Sequence, residues 1–240
     1  MDERKLPTIE FVDYLKTAFS RNGVFNFNGK NFITKNAKLA VKPIQNPHPP
    51  LWIQSRDTKT LEFCAKNGIN TGYFLVYPRD LAFLKYKEFL SKWISYGWRH
   101  KPNIAYSTVV YVDETDKKAI DNALIRASKA YEGILEPPEN GTFEERVLRF
   151  EKRVNASKDE KTATLMKNMF NPKYIIENDL MLIGSPETII KKLKKISTSG
   201  HFNTFFGEFN FSDLPEEDLM RSISLFGEYV IPELKNFDPF

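Results

Sequence analysis

The chain has 240 residues, of which 41% are hydrophobic and 28% charged, and its formal net charge is +4. These values are close to those of ordinary globular proteins, and they exclude a collagen-like, low-complexity or wholly disordered chain. A chain of this length allows one large domain or two small ones. The single cysteine, Cys64, excludes an internal disulfide and a cysteine-rich zinc site, and it suits a reducing compartment such as the cytoplasm.

Membrane and nucleic-acid partners are not expected. The first residues lack the apolar run of a signal peptide, and the longest apolar stretches are far shorter than the roughly 20 residues of a membrane-spanning helix. The tightest lysine group, at 191–195, is interleaved with apolar residues at helical spacing, which is typical of a solvated helix face. No basic stripe accompanies a nucleic-acid-binding motif. The three histidines have no ligand spacing, so we expect no metal site. The single cysteine and the lack of a signal peptide together predict a cytoplasmic protein.

The segment 1–50 predicts a helix, a small hairpin and an extended entry to the rest of the chain. Apolar residues recur at helical spacing over the first twenty residues. An aromatic hairpin follows at 24–33, with its turn at Asn28-Gly29, and we expect it to lie outside the main sheet. Four prolines between residues 42 and 50 predict extended backbone.

From residue 51 onward, short apolar strands alternate with helices. We predict strands at 51–55, 72–76, 104–112 and 202–211, and helices at 58–67, 79–96, 117–131, 185–200 and 213–234. The βα units 51–132 and 183–240 flank a polar, less periodic region, 133–182, which we interpret as a helical insertion within one domain. Such alternation is typical of a parallel sheet covered by helices. We therefore predict an α/β fold with about four parallel strands, either a doubly wound sheet or part of a (β/α)8 barrel.

Six short blocks resemble one enzyme family, the luciferase-like flavin-dependent monooxygenases of bacteria. In chain order they are EFVDYL at 10–15, FNGKNF at 27–32, KPIQNPHPPLWI at 42–53, TLEFCAKNG at 60–68, IGSPETI at 183–189 and LFGEYVIP at 225–232. Each block is short, but together they keep the family's order over nearly the whole chain. The resemblance implies a (β/α)8 barrel that binds FMN, or F420 in some branches, and an oxidoreductase that uses reduced flavin and O2 on a small organic substrate.

The resemblance begins in the middle of the family's pattern. The part that corresponds to the first four barrel strands, with the family's usual catalytic histidine, is absent from this sequence, so we assign no catalytic residue. We therefore expect a homo-oligomer, or a complex with a chain that supplies the missing half-barrel, rather than a stable monomer. The alternative is a non-catalytic half-barrel that binds a partner chain or flavin without turnover.

The candidate cofactor site lies where the first strand of the sheet meets the following helix. The carboxyl ends of barrel strands carry active sites, and the free N–H groups of a helix start attract phosphate. The resemblance implies that a serine and a threonine, at the positions of Asp57 and Thr60, hold the flavin phosphate. Thr60 matches this pattern, whereas Asp57 would repel a phosphate and is also a good helix cap. The predicted site comprises Ser55, Arg56, Asp57, Thr60 and Trp52, whose indole is either a flavin-stacking surface or part of the core.

Overall fold

A computed structural model of the chain describes residues 6–73, 78–155 and 160–240. The chain divides into two compact units, Met1–Trp52 and Ile53–Phe240. Within the described residues, no helix is both long and apolar enough to cross a membrane.

The first unit is a helix followed by a separate hairpin. Helix α1 spans Leu6–Ser20, and strands β1 (Phe25–Asn28) and β2 (Ile33–Ala37) pair antiparallel as a two-stranded sheet of their own. The ring of Tyr14 on α1 packs edge-on against the rings of Phe25, at 5.8 Å, and Phe27, at 5.3 Å. The predicted position of the hairpin outside the main sheet is therefore confirmed.

A single carboxylate fastens α1 to the hairpin turn. Glu10 Oε1 accepts hydrogen bonds from the backbone N–H groups of Asn31, at 2.9 Å, and Phe32, at 3.1 Å. Desolvation acts to raise the pKa of Glu10, but the hydrogen bonds from Asn31 and Phe32 outweigh it and hold the pKa below its usual value. The contact is consequently present at neutral pH and is lost as the pH falls through this lowered pKa.

The second unit carries the main sheet and its helices. The strands are β3 (Trp52–Gln54), which starts at the last residue of the first unit, β4 (Asn70–Tyr73), β5 (Ile104–Val112), β6 (Leu182–Gly184) and β7 (Thr204–Glu208). The helices are α2 (Thr58–Lys66), α3 (Arg79–Ser95), α4 (Asp116–Ala127), α5 (Phe143–Asn155), α6 (Glu160–Asn168), α7 (Pro172–Glu177), α8 (Pro186–Gly200), α9 (Glu216–Leu225) and α10 (Ile231–Leu234). Two 3-10 turns (Glu132–Ile134 and Pro138–Asn140) precede α5, and a π-helical turn (Phe226–Val230) joins α9 to α10.

Strand β5 is the centre of the sheet. Strands β4, β6 and β7 all pair with it in parallel, and the strand order is β3-β4-β5-β6 with β7 also on β5. All residues of β5 except Tyr106 are buried, including the polar Ser107 and Thr108 in the middle of an otherwise largely apolar strand. Where β4 meets β5, a Cβ atom on Gly72 would lie 2.8 Å from that of Ala105, so the close approach requires glycine there. The predicted α/β fold with a parallel sheet is confirmed, and the described strands form an open sheet.

Some predicted boundaries were wrong. The structure adds a fifth strand, β6, which the sequence pattern missed because three residues are too short to show a period. Strand β4 starts two residues earlier than predicted, and residues 74–76 of that prediction lie outside the described residues. Strand β7 is shorter than the predicted 202–211, and the apolar Phe202 and Phe211 at the ends of that prediction are buried outside the strand. The last predicted helix, 213–234, is divided by the π-helical turn.

The inserted segment between α4 and β6 packs against the central strand. It contains the predicted short helices, and they join α4 and two residues of β5, Val109 and Tyr111, in one apolar cluster. The main buried members from the insertion are Phe150, Val154, Ala163, Met169, Phe170 and Ile175. Part of one face of β5 is therefore covered from within the chain.

We expect the substitution Glu10→Ala to release the hairpin turn. The N–H groups of Asn31 and Phe32 lose their acceptor, so their hydrogen-exchange rates at neutral pH should rise several-fold, as expected for a locally opened turn. Asp13→Ala, which removes another exposed carboxylate from the same helix, is the matched control and should leave these amides protected. Equal protection in both variants would show that Glu10 does not hold the turn.

Candidate functional site

The turn from β3 into α2 contains the residues that the sequence predicted for the cofactor. Asp57 is the N-cap of α2: its Oδ1 accepts hydrogen bonds from the backbone N–H and from the side-chain hydroxyl of Thr60, both at 2.9 Å. The Ser55 hydroxyl oxygen in turn accepts the N–H of Asp57 at 3.1 Å. The cap that the sequence offered as one interpretation of Asp57 is thus formed.

These contacts decide whether a phosphate group fits at the turn. The two donors of Thr60 are already satisfied by a carboxylate of this chain, and that carboxylate would face an incoming phosphate with like charge. The residues at the start of α2 therefore do not fit the flavin phosphate in the way that the resemblance implies. Asp57 itself occupies the place of the anion at the helix start.

The other predicted cofactor residues, Arg56 and Trp52, lie close to this turn along the chain. Arg56 is exposed, and Trp52 on β3 is 36% exposed. A cation from the next helix reaches the turn, because Lys85 Nζ donates to the Thr58 hydroxyl at 2.7 Å. Cys64, by contrast, is fully buried on α2, and burial raises the pKa of its thiol to about 12, so it is a core residue as predicted.

A second polar cluster lies just beyond the carboxyl end of β5. Asp113 is 1% exposed, and its carboxylate accepts hydrogen bonds from Arg221 Nη2 at 3.2 Å and from Asn122 Nδ2 at 3.1 Å. Burial acts to raise the pKa of Asp113, but the hydrogen bonds from the Glu114 N–H and from Arg221 outweigh it and hold the pKa below its usual value. An ionised carboxylate engaged in this way is a weak base, and it ties α9 to the end of β5.

The third feature is a cavity of about 630 Å³ bounded by the start of α3, by β5 and by α6 and α7. Its volume falls within the range of small-molecule sites, roughly 300–1,000 Å³. Its walls are mostly aromatic or aliphatic, and they include Phe83, Tyr106, Tyr131, Leu165, Met169 and Tyr174. Charged residues from the starts of α3 and α6 also line it: Arg79, Asp80, Glu160 and Lys161.

Three polar side chains of this cavity donate to the carbonyl oxygens of two consecutive residues. Arg79 donates from Nη2 to the carbonyl oxygen of Asp179. The hydroxyls of Thr108 and Tyr131 both donate to the carbonyl oxygen of Leu180, at 2.6 Å and 2.8 Å. Because adjacent Cα atoms are only about 3.8 Å apart, these three side chains act within a small region.

Sequence reasoning did not find this cavity. Arg79 in the first turn of a helix after a strand was one available signal, and the alternation of Tyr106 and Thr108 on one face of an apolar strand was another. The remaining walls come from the insertion, whose sequence is too irregular to predict which strand it meets.

The sequence profile of the luciferase-like monooxygenases matches residues 1–201. The chain belongs to this family. The resemblance to this family is therefore confirmed; five of the six sequence blocks lie within the matched residues, and the block at 225–232 lies beyond them.

Two curated relatives match this luciferase-like chain over short stretches. An uncharacterised protein, y4wF, of Sinorhizobium fredii is 36% identical over 50 residues, which are 21% of this chain and 15% of that protein. The oxygenase component of a flavin-dependent trigonelline monooxygenase of Acinetobacter baylyi is 35% identical over 48 residues, which are 20% of this chain and 13% of that protein.

Solved structures of similar fold match nearly the whole chain. Monooxygenase RslO1 from Streptomyces bottropensis has a TM-score of 0.67 at 16% identity, covering 97% of this chain and 62% of its own. The oxygenating constituent of 3,6-diketocamphane monooxygenase from Pseudomonas putida, in complex with FMN, has a TM-score of 0.62 at 17% identity, covering 96% and 62%. An F420-dependent secondary alcohol dehydrogenase has a TM-score of 0.60 at 20% identity, covering 95% and 61%. At these identities the likeness shows the fold, and the chain spans less than two thirds of each structure's length.

We expect Asp57→Ala to destabilise the chain through the loss of the α2 cap. Loss of an N-cap acceptor typically costs about 1 kcal/mol, which denaturant unfolding would show as a lower midpoint at an unchanged slope. Asp57→Ser restores a capping oxygen and should recover most of the loss. If the serine variant were as unstable as the alanine variant, the hydrogen bonds to Thr60 would not be the stabilising contact.

Proposed function

We propose that this chain forms part of a flavin-dependent monooxygenase that uses reduced flavin and O2 on a small organic substrate. The observation that carries the proposal is the family match over residues 1–201. It is supported by the 48-residue match to the oxygenase component of a flavin-dependent enzyme. The neighbouring solved structures include one in complex with FMN and one that is F420-dependent, so FMN is the first candidate and F420 the alternative.

The α2 start limits how a flavin can bind to this chain alone. Asp57 satisfies the donors of Thr60 and places a negative charge beside the helix start. We therefore propose that the isolated chain binds FMN only weakly. The residues proposed to contact the cofactor are Ser55, Arg56, Thr60 and Trp52.

We further propose that the chain acts as an assembly. It spans about 62% of the length of two similar solved monooxygenases. Among the described residues, β7 pairs with β5 alone, so its other edge offers backbone hydrogen-bonding groups to a further strand. Phe206 on this strand is 44% exposed. A second copy of the chain, or a chain with the missing half-barrel, would cover this edge.

The flavin proposal is tested by titrating the purified chain with FMN and with riboflavin, which lacks the phosphate. Asp57→Ser and Asp57→Asn both remove the charge and leave a capping oxygen, so each should strengthen FMN binding about tenfold, the size expected for a like charge removed at close range. Riboflavin affinity should not change. Asp121→Asn, which removes an exposed acid from α4, is the charge-matched control.

Two results would contradict this account of the turn. One is sub-micromolar FMN affinity of the unaltered chain, and the other is an equal gain in affinity for riboflavin. Flavin binding without any turnover, with a partner chain present, would favour the non-catalytic alternative.

The assembly is tested by light scattering at micromolar concentration. We expect a molar mass of two chains or more, because the open β7 edge is covered only when chains associate. Such an obligate, hydrophobic interface typically buries upward of roughly 2,000 Å². Phe206→Asp should shift the population toward single chains by placing a charge at the β7 edge. Leu84→Asp is the matched control, since Leu84 is 63% exposed on α3. A monodisperse single chain for the unaltered protein would show that the half-barrel is self-sufficient.

A further inference from the structure

We propose that the cavity between α3, β5, α6 and α7 binds an aromatic monocarboxylate, with its carboxylate at Arg79 and Tyr106. This site is separate from the α2 turn. The proposal concerns binding alone and does not rest on the flavin chemistry proposed above.

The carboxylate position follows from hydrogen-bond donors that remain available. Arg79 Nε donates to the Tyr106 hydroxyl oxygen at 3.1 Å, and Arg79 Nη2 donates to the Asp179 carbonyl oxygen. The Tyr106 hydroxyl therefore accepts in this contact and keeps its own hydrogen. Within the described part of the chain, neither that hydrogen nor Arg79 Nη1 has a further partner. Two adjacent donors, one of them cationic, suit a carboxylate oxygen pair.

Neighbouring groups hold the guanidinium in place without neutralising it. Asp179 is itself held by an ion pair with Lys192 at 2.6 Å. Asp80 pairs with Lys161, which lowers the pKa of Asp80, and Glu160 is exposed at the rim of the cavity. No carboxylate among the residues 6–73, 78–155 and 160–240 forms an ion pair with Arg79, so its charge is available to an anionic ligand.

The two hydroxyls deeper along the same wall do not compete for the carboxylate. Thr108 and Tyr131 both donate their hydrogens to the Leu180 carbonyl oxygen. Tyr131 is buried, and this desolvation raises its pKa, so it stays a neutral hydroxyl at physiological pH. Since these two hydroxyl hydrogens are already used, Thr108 and Tyr131 do not offer the carboxylate a second anchor beside Arg79 and Tyr106.

The rest of the cavity suits a flat apolar body. The Tyr106 ring is fixed by Phe202, which stacks on it at 5.0 Å, and by Phe83, whose ring lies edge-on at 6.0 Å. Leu165 and Met169 also line the cavity, and methionine adapts readily to the outline of a bound ring. Aromatic walls favour offset or edge-on contact with an aromatic ligand.

The test compares naphthoate with naphthamide, which has nearly the same shape but no charge. Calorimetric titration of the full chain should show saturable naphthoate binding, and naphthamide binding at least about tenfold weaker, because a charge-assisted hydrogen bond is lost. Arg79→Met and Tyr106→Phe should each weaken naphthoate binding about tenfold or more and leave naphthamide binding nearly unchanged. Arg126→Met, which removes a half-buried arginine on α4, is the matched control and should bind naphthoate like the unaltered chain.

The Tyr106→Phe variant keeps the ring and its aromatic contacts, so it decides the question even if Arg79→Met unfolds, which a melting curve would reveal. The proposal is overturned by the absence of saturable naphthoate binding at millimolar concentration. It is equally overturned by equal affinities for the acid and the amide, or by full naphthoate affinity in Tyr106→Phe.

Discussion

The main sheet depends on one strand that serves three partners. Strand β5 pairs with β4 through residues 104–106, with β7 through residues 105–109 and with β6 through residues 110–112. Beyond the last residue of β5 that pairs with β7, the N–H of Val112 donates to the hydroxyl oxygen of Ser222 on α9, at 2.8 Å. A side chain thus takes the place of a strand as the partner of this backbone group. With almost all its residues buried, β5 fixes where every other strand and the covering helices can lie.

The same strand positions two of the three polar features of this unit. Tyr106 and Thr108 line the cavity from its middle, while Asp113 follows its carboxyl end and is held by Arg221. Because side chains alternate along a strand, Tyr106 and Thr108 share one face of β5, and Val109 and Tyr111 lie on the other. Tyr131 and Met169 belong both to the cavity lining and to the apolar cluster, so the two features adjoin.

The α2 turn illustrates how a family pattern and a local physical rule can oppose each other. An aspartate is among the best residues to begin a helix, and Asp57 satisfies both donors of Thr60. The same two hydrogen bonds occupy the Thr60 donors that a phosphate would need, and the carboxylate would repel it. An aspartate at this point thus stabilises the helix start at the expense of the phosphate contact.

Sequence alone determined the features that depend on neighbouring residues. The apolar run of β5, the Ser185-Pro186 start of α8, the cap at Asp57, the core position of Cys64 and the family blocks were all legible, because each is set by spacing or by local hydrogen bonds. The features that depend on residues far apart in the chain, β6 and the cavity, were decided only by the tertiary structure. The three-residue β6 is a strand solely because β5 offers it a ladder of hydrogen bonds. The cavity exists because Arg79 at the start of α3 meets the carbonyl of Asp179 in the insertion, a hundred residues further along the chain. No local pattern encodes such a meeting, since it follows from how the whole sheet and its insertion pack.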